Sequence, residues 1–355
     1  MQTPQLSIIV PVYNECDHLF LFLEMLTLQQ NICFELLLCD GGSTDGTAEE
    51  AKLFASKSPF PLYVLDCAKG RSMQMNAGVK SAAAETLLFL HVDSRFNNPN
   101  SLHNGWTQLC KIQKEREGWL AGHYSLKFQR QDHSSSPLYY HMESKARLNR
   151  EECTHGDQGF MLNKLFFQEV GPFDDLYPIA EDTRFAERVR LKGEWILFPE
   201  TIETSARRFE VEGIAERQTF NSILMNFTSI GWIDFFNQAS AVYATQDSAG
   251  RLNLAPYLRL IHNLLKGMPI SERLRFWYGT GRYVRDNAWQ IPYYFDTRSH
   301  YRVGLLPGRG ENSFLLFHDR WVEPLLDHPP GRILAGFLTW CWLQFSLIRF
   351  AIRSG

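Results

Sequence analysis

Leu6-Ser7-Ile8-Ile9-Val10-Pro11-Val12-Tyr13-Asn14-Glu15 is the stretch that decides the fold class. A short apolar run stops abruptly at a polar turn. Residues 17–30 follow, with Leu19, Phe22, Leu23 and Leu26 at helical spacing. The pattern then repeats. Phe34 to Cys39 reads as a second strand, stopped by Gly41-Gly42. Thr47-x-x-Glu50 reads as a capping box that opens a helix ending near Ser58-Pro59. Leu62 to Leu65 is a third strand, 72–83 a helix, and Thr86 to His91 a fourth strand. Alternation of near-continuous apolar strands with helices predicts a mostly parallel α/β sheet covered on both faces. Ligands of such sheets bind beyond the carboxyl ends of the strands.

Composition supports a folded core. The 355 residues are 45% hydrophobic and 21% charged, with a net charge of -3. That excludes a disordered, collagen-like or disulfide-stapled chain. At ~150 residues per domain, the length allows two domains or one large domain with an extension. Seven cysteines form no C-x-x-C pair, and most read as buried free thiols in a reducing compartment. No basic segment followed by a long apolar run opens the chain, so the expected location is cytoplasmic.

Four polar segments follow the strand ends. Asp40-Gly41-Gly42-Ser43 is both a glycine-rich turn and a place where Asp40 could accept hydrogen bonds from a base or ribose. Neither G-x-G-x-x-G nor G-x-x-x-x-G-K-[ST] occurs, so dinucleotide and P-loop fingerprints are unsupported. His91-Val92-Asp93 ends the fourth strand, and residues i and i+2 of an extended chain share a face. A hard cation bridging two phosphates needs only one or two carboxylates, so Asp93 is the first candidate ligand and His91 the second. The alternative is an ordinary histidine and a turn cap. Glu181-Asp182 precedes a helical pattern, where acids complement the helix dipole. The functional reading makes Asp182 a general base. Arg207-Arg208 is either a solvated pair or a forked charge for a departing diphosphate. The glycines of Thr154-His155-Gly156-Asp157-Gln158-Gly159 mark a bend or a close approach to a ligand.

Taken in order, Pro11-Val12-Tyr13-Asn14-Glu15, the Asp40–Thr47 turn, Gly70-Arg71 with Asn76-Ala77-Gly78, Asp93 and Glu181-Asp182 resemble the family 2 glycosyltransferases of the GT-A fold, over roughly residues 5–210. The bacterial subgroup associated with arsenosugar biosynthesis clusters is most similar. It shares the motifs at 70–78, 91–93, 156–159 and 205–208, and its name records gene context only. The resemblance implies a GT-A domain over 1–245 and a helical extension over 246–355. It also implies sugar transfer from a nucleotide-sugar to an acceptor hydroxyl, inverting, metal-assisted and non-processive. Donor binding would fall to Pro11, Tyr13, Glu15, Asp40, Gly70, Arg71, Asn76, Arg207 and Arg208. Asp93, with His91 beside it, would carry Mg²⁺ or Mn²⁺, and Asp182 would be the base. Gly156, Asp157, Gln158 and Glu181 would line the acceptor side. The acceptor itself, whether small molecule, glycan or lipid-linked, stays open. Two features depart from the family pattern: His91 stands where the first acid of Asp-x-Asp is usual, and Gln-x-x-Arg-Trp is absent. A nucleotidyltransferase and an inactive binding scaffold are the rival readings.

Charge is unevenly spread. Residues 1–200 hold 19 Lys/Arg against 26 Asp/Glu, whereas 251–355 hold 14 against 7. A basic, aromatic tail suggests an anionic partner, and a membrane surface is expected over nucleic acid. Gly331–Phe350 is the most hydrophobic stretch. The 16 residues between Arg332 and Arg349 are fewer than the ~20 a spanning helix needs. Two readings remain: a helix packed in the core, or one lying in the interface of the inner membrane face with Trp340 and Trp342 at headgroup depth.

Overall fold

The computed structural model describes residues 3–132, 134–175, 180–244 and 250–354. The boundary expected at 245/246 lies outside the described residues. The chain divides into two compact units, Met1–Gln131 with Met142–Ser205, and Asp132–His141 with Ala206–Gly355.

The first unit is built on eight strands: β1 Leu6–Val12, β2 Phe34–Asp40, β3 Leu62–Asp66, β4 Thr86–Phe89, β5 Arg95–Phe96, β6 Trp119–Gln129, β7 Phe160–Asn163 and β8 Gly193–Ser205. Their order is β3-β2-β1-β4-β7-β6-β8-β5. The run from β3 to β4 is parallel, as the alternating pattern predicts. Beyond it the sheet is mixed, because β7 enters antiparallel to both β4 and β6. Helices cover it: α1 Cys16–Thr27, α2 Thr47–Ala55, α3 Arg71–Ser81, α4 Ser101–Glu115, α6 Lys164–Val170 and α7 Glu181–Lys192, while α5, Pro137–Lys145, is divided in sequence between the two units. Burial explains the strand composition: all seven residues of β2 are buried, and Ile8, Ile9 and Val10 of β1 are fully so. The predicted face of α1, Leu19, Phe22, Leu23 and Leu26, is likewise fully buried. Strand order reverses at β1, which has β2 on one side and β4 on the other, so the crevice opens at their carboxyl ends.

Three local expectations are corrected. The capping box at α2 does not form. Asp45 reaches the helix start first, accepting from Thr47 N at 3.1 Å and Thr47 Oγ1 at 2.6 Å, while Glu50 accepts from Cys16 Sγ at 3.0 Å. All seven cysteines are free, but only Cys39 and Cys153 are buried. His91–Asp93 is not extended: Ser94 N donates to His91 O at 3.1 Å and closes a turn, so the alternation argument does not apply there.

The second unit is helical: α8 Arg207–Glu212, α9 Ile214–Ile230, α10 Ile233–Ala244, α11 Ala255–Gly267, α12 Ile270–Asp286, α13 Gln290–Arg302, α14 Ser313–Phe317, a π-helical turn His318–Val322, α15 Glu323–Leu326 and α16 Pro329–Ser354. Its core is aromatic, with the Phe227 ring 4.7 Å from those of both Trp232 and Phe235. Pro329-Pro330 begins α16, since the first helical turn tolerates a missing N–H. The core-helix reading of 331–350 fails. Pro329–Phe350 is 22 residues long, and only 11% of its most apolar window is buried.

Candidate active site

The ends of β1 and β2 are tied to each other. Asp40, buried at the end of β2, accepts from Gly42 N at 3.2 Å, from Ser43 N at 3.0 Å and from Ser43 Oγ at 2.5 Å. Across the gap, Asn14 sits in the left-handed region at φ 54 and bridges the two turns. Its N–H donates to Ser43 Oγ and its Oδ1 accepts from Thr44 N, both at 2.9 Å. Glu15 N donates to Thr47 Oγ1 at 2.9 Å. From the opposite side Gln74 Nε2 donates to Val12 O and Cys39 O, each at 2.7 Å, and locks the two strand ends together. Tyr13 projects from this frame, half-exposed, with Lys69 Nζ 3.7 Å from its ring centroid.

A second cluster forms beside β4. Asp182, in the first turn of α7, has its Oδ2 held by Gly156 N at 2.7 Å and its Oδ1 by Thr183 N at 2.7 Å. His155 Nδ1 lies 3.0 Å from Thr183 Oγ1. Gly156 lets its loop approach closely: a Cβ there would stand 3.0 Å from Asp182 Oδ2 and 3.3 Å from His91 Nε2. Arg71 opens α3 and its Nη1 reaches Glu181 Oε1 at 3.3 Å. Asp93 Oδ2 accepts from Thr204 Oγ1 and Ser205 N, each at 3.3 Å.

Electrostatics separate these acids. Burial would push Asp182 up, but His155, the Gly156 N–H and Arg71 outweigh it and hold the carboxyl below its ordinary value. Burial depresses His155 as well, so near neutral pH the backbone N–H and Arg71 carry that effect. Asp157 behaves oppositely. Burial and the charges of Asp182 and Asp93 push it up to about 7, and its Oδ1 is buried with no hydrogen-bond partner. Burial and Asp182 raise Glu181, with Arg71 compensating in part.

The structure therefore brings together Arg71, His91, Asp93, Gly156, Asp157, Glu181 and Asp182. Asp40, Pro11, Tyr13 and Glu15 form the adjoining strand-end frame. Gly70 caps α3 at φ 143. Two candidates are held elsewhere. Gln158 is fully buried; its Nε2 donates to Ala146 O at 2.8 Å and lies 2.9 Å from His123 Nδ1. Asn76 exchanges two 2.9 Å bonds with the Phe173 backbone. Arg207 and Arg208 open α8 in the second unit. Sequence reasoning missed Asn14, Lys69, Gln74 and His155. Each stands inside or next to a motif quoted above, but their roles depend on contacts between distant segments.

Residues 7–156 match the model of the family described as Glycosyl transferase family 2. The chain is 31% identical over 91 residues to an uncharacterized glycosyltransferase, YibD, of Escherichia coli (strain K12), covering 26% of each chain. It is 37% identical over 103 residues to a PGL/p-HBAD biosynthesis glycosyltransferase of Mycobacterium bovis (strain BCG / Pasteur 1173P2), covering 29% of this chain and 40% of the relative. It thus spans well under half the length of these curated relatives. Among solved structures it is similar to the mannosyltransferase PcManGT from Pyrobaculum calidifontis in complex with GDP-Man and Mn²⁺, at 17% identity and a TM-score of 0.47. That match covers 99% of this chain and 87% of the other. It is also similar to S. aureus TarS 1–349 in complex with UDP, at 14% identity and a TM-score of 0.48, covering 84% and 92%.

Proposed function

We propose that the chain transfers a single sugar from a nucleotide-sugar to an acceptor hydroxyl, with inversion. The observation that carries this reading is the gathering of Asp93, Asp157 and Asp182 around Gly156 and His91, beside the point where strand order reverses. The family 2 match over 7–156 supports it, and the motifs at 70–78, 91–93, 156–159 and 205–208 suggest the arsenosugar-cluster subgroup. Asp40 and the Pro11–Glu15 turn hold the nucleoside. Arg71 faces the diphosphate side, and Gly156, Asp157 and Glu181 border the acceptor. Asp182 stays ionised at neutral pH, oriented by the Gly156 N–H. The acceptor oxygen bonds to the anomeric carbon, the bond to the diphosphate breaks, and the acceptor proton passes to Asp182.

A divalent cation fits these residues. Carboxylate oxygens are the donors Mg²⁺ and Mn²⁺ take, and the orphaned Asp157 Oδ1 lies in a concentration of negative charge. Among the described residues no three ligand atoms gather there, and the one such group is His318, Asp319 and Glu323 in the second unit. That suits an ion held by Asp93, with His91, and completed by phosphates. When bound, it would supply positive charge to the departing diphosphate.

A thermal-shift screen of nucleoside diphosphates and nucleotide-sugars with Mn²⁺ tests the reading, followed by a transfer assay with the donor that binds. A ligand at 100 times its Kd stabilises by ~2.7 kcal/mol. Absence of any stabilising nucleotide, together with no donor turnover, overturns it.

A further inference from the structure

α16 leaves most of its surface uncovered. Ile333, Phe337, Leu338, Trp340, Phe345 and Ile348 are each between 42% and 66% exposed. This is not a detached helix. It crosses α12 so closely that a Cβ on Gly281 would stand 1.9 Å from Arg332 O, and one on Gly336 would stand 2.4 Å from Trp277 O. One stripe of α16 is thus fixed on α12, and its apolar flanks face outward. Apolar patches of that extent on soluble proteins mark interaction sites.

The chemistry beside it selects the occupant. Where α9, α12 and α16 meet lies a cavity of about 640 Å³, lined by Arg275, Trp277, Tyr278, Arg282 and Ile333 among others. Arg275 and Arg282 stand two turns apart on one face of α12, both exposed, and neither has an ion pair among the described residues. A smaller cavity pairs Arg298 and Arg302 with Phe295 and Phe314. Forked guanidinium groups beside apolar and indole surface match a phosphate headgroup with its acyl chains. A second copy of this chain would instead bring the basic 251–355 segment against itself. Full insertion is excluded by α12, which lies along α16 and carries Glu272, Arg273, Arg275, Arg282, Arg285 and Asp286.

We propose that the second unit docks on anionic phospholipid membranes, with α16 lying in the interface and Arg275 and Arg282 binding headgroup phosphates. This is independent of the sugar-transfer reading. Flotation of the full chain with phosphatidylcholine vesicles, and with the same vesicles containing phosphatidylglycerol, tests it. Binding is expected to the anionic vesicles only, weakening as salt rises. Arg275→Glu/Arg282→Glu should weaken it about tenfold or more, at ~1 kcal/mol per basic residue. Phe337→Glu should weaken it independently. Circular dichroism melting checks that each variant folds, with Arg275→Ala/Arg282→Ala as the milder pair. Equal binding to neutral vesicles, no binding at low salt, or no loss in the arginine variants overturns the proposal. So does a stable dimer whose α16 is protected without lipid.

Discussion

Two groups of acidic side chains flank the crevice, and they are solved differently. Around Asp40 every visible demand is met inside the protein. Both its oxygens are engaged by Gly42 and Ser43, and Asn14 ties the turn to its neighbour. Around Asp182 the demands are not met: Asp157 keeps an orphaned buried oxygen, and the neighbouring acids repel one another. A satisfied polar network rigidifies, whereas a half-satisfied one is costly and is kept where it serves chemistry. On the proposed function, the first group serves as a frame and the second as the reactive centre.

The largest expected effect tests that division at its centre. Asp182→Asn keeps an oxygen for the Gly156 N–H but cannot take a proton, so transfer should fall ~10²–10⁴-fold while donor binding persists. Wild-type rates in this variant would reduce Asp182 to a helix cap. Next comes Gly156→Ala. Its methyl would press on both the Asp182 carboxylate and the His91 ring, and a displacement of this kind can cost ~10²-fold in rate. Stability should change little, because every crowded atom belongs to a side chain and none would stand closer than 3.0 Å. A large loss of melting temperature with full specific activity would place Gly156 in the frame instead. At Asp40 the signs reverse. Asp40→Ala strands the Gly42 and Ser43 N–H groups and should cost about 1–3 kcal/mol of stability. Urea unfolding measures it, and an unchanged midpoint would mean the turn is held by Asn14 alone.

How much of this could be read beforehand follows the range of the contacts. β1, β2 and the face of α1 were legible because their apolar spacing is local and their burial complete. Asp93 and Asp182 were legible as positions, since the first follows a strand signal and the second stands at the start of a helical pattern. The antiparallel entry of β7 was not, because pairing with β4 and β6 is decided by long-range packing that no single segment displays. Nor was the isolation of Asp157, which arises only when Asp93 and Asp182 are folded against it. The exposure of α16 was hidden for another reason: a core helix and an uncovered one have the same composition, and only burial in the fold, 11% over its most apolar window, distinguishes them. The Thr47 capping box misled because Asp45 competes for the same donors at shorter reach.

The last test isolates the electrostatic frustration itself. Asp157 ionises at about 7 in the folded protein, against about 3.9 for an unperturbed aspartate. Between those values the folded state holds a proton that the unfolded state has released, so stability falls as pH rises through this window. Asn cannot ionise. Asp157→Asn should therefore match the wild type near pH 4 and melt at a higher temperature than the wild type at pH 8 in EDTA. Mn²⁺ should shrink the gain, because a cation among these carboxylates relieves the same repulsion that the substitution removes. An equal change at both pH values would show that packing, not charge, governs Asp157. A gain at pH 8 that Mn²⁺ leaves untouched would move the cation away from this cluster, while leaving the contrast with Asp40 intact.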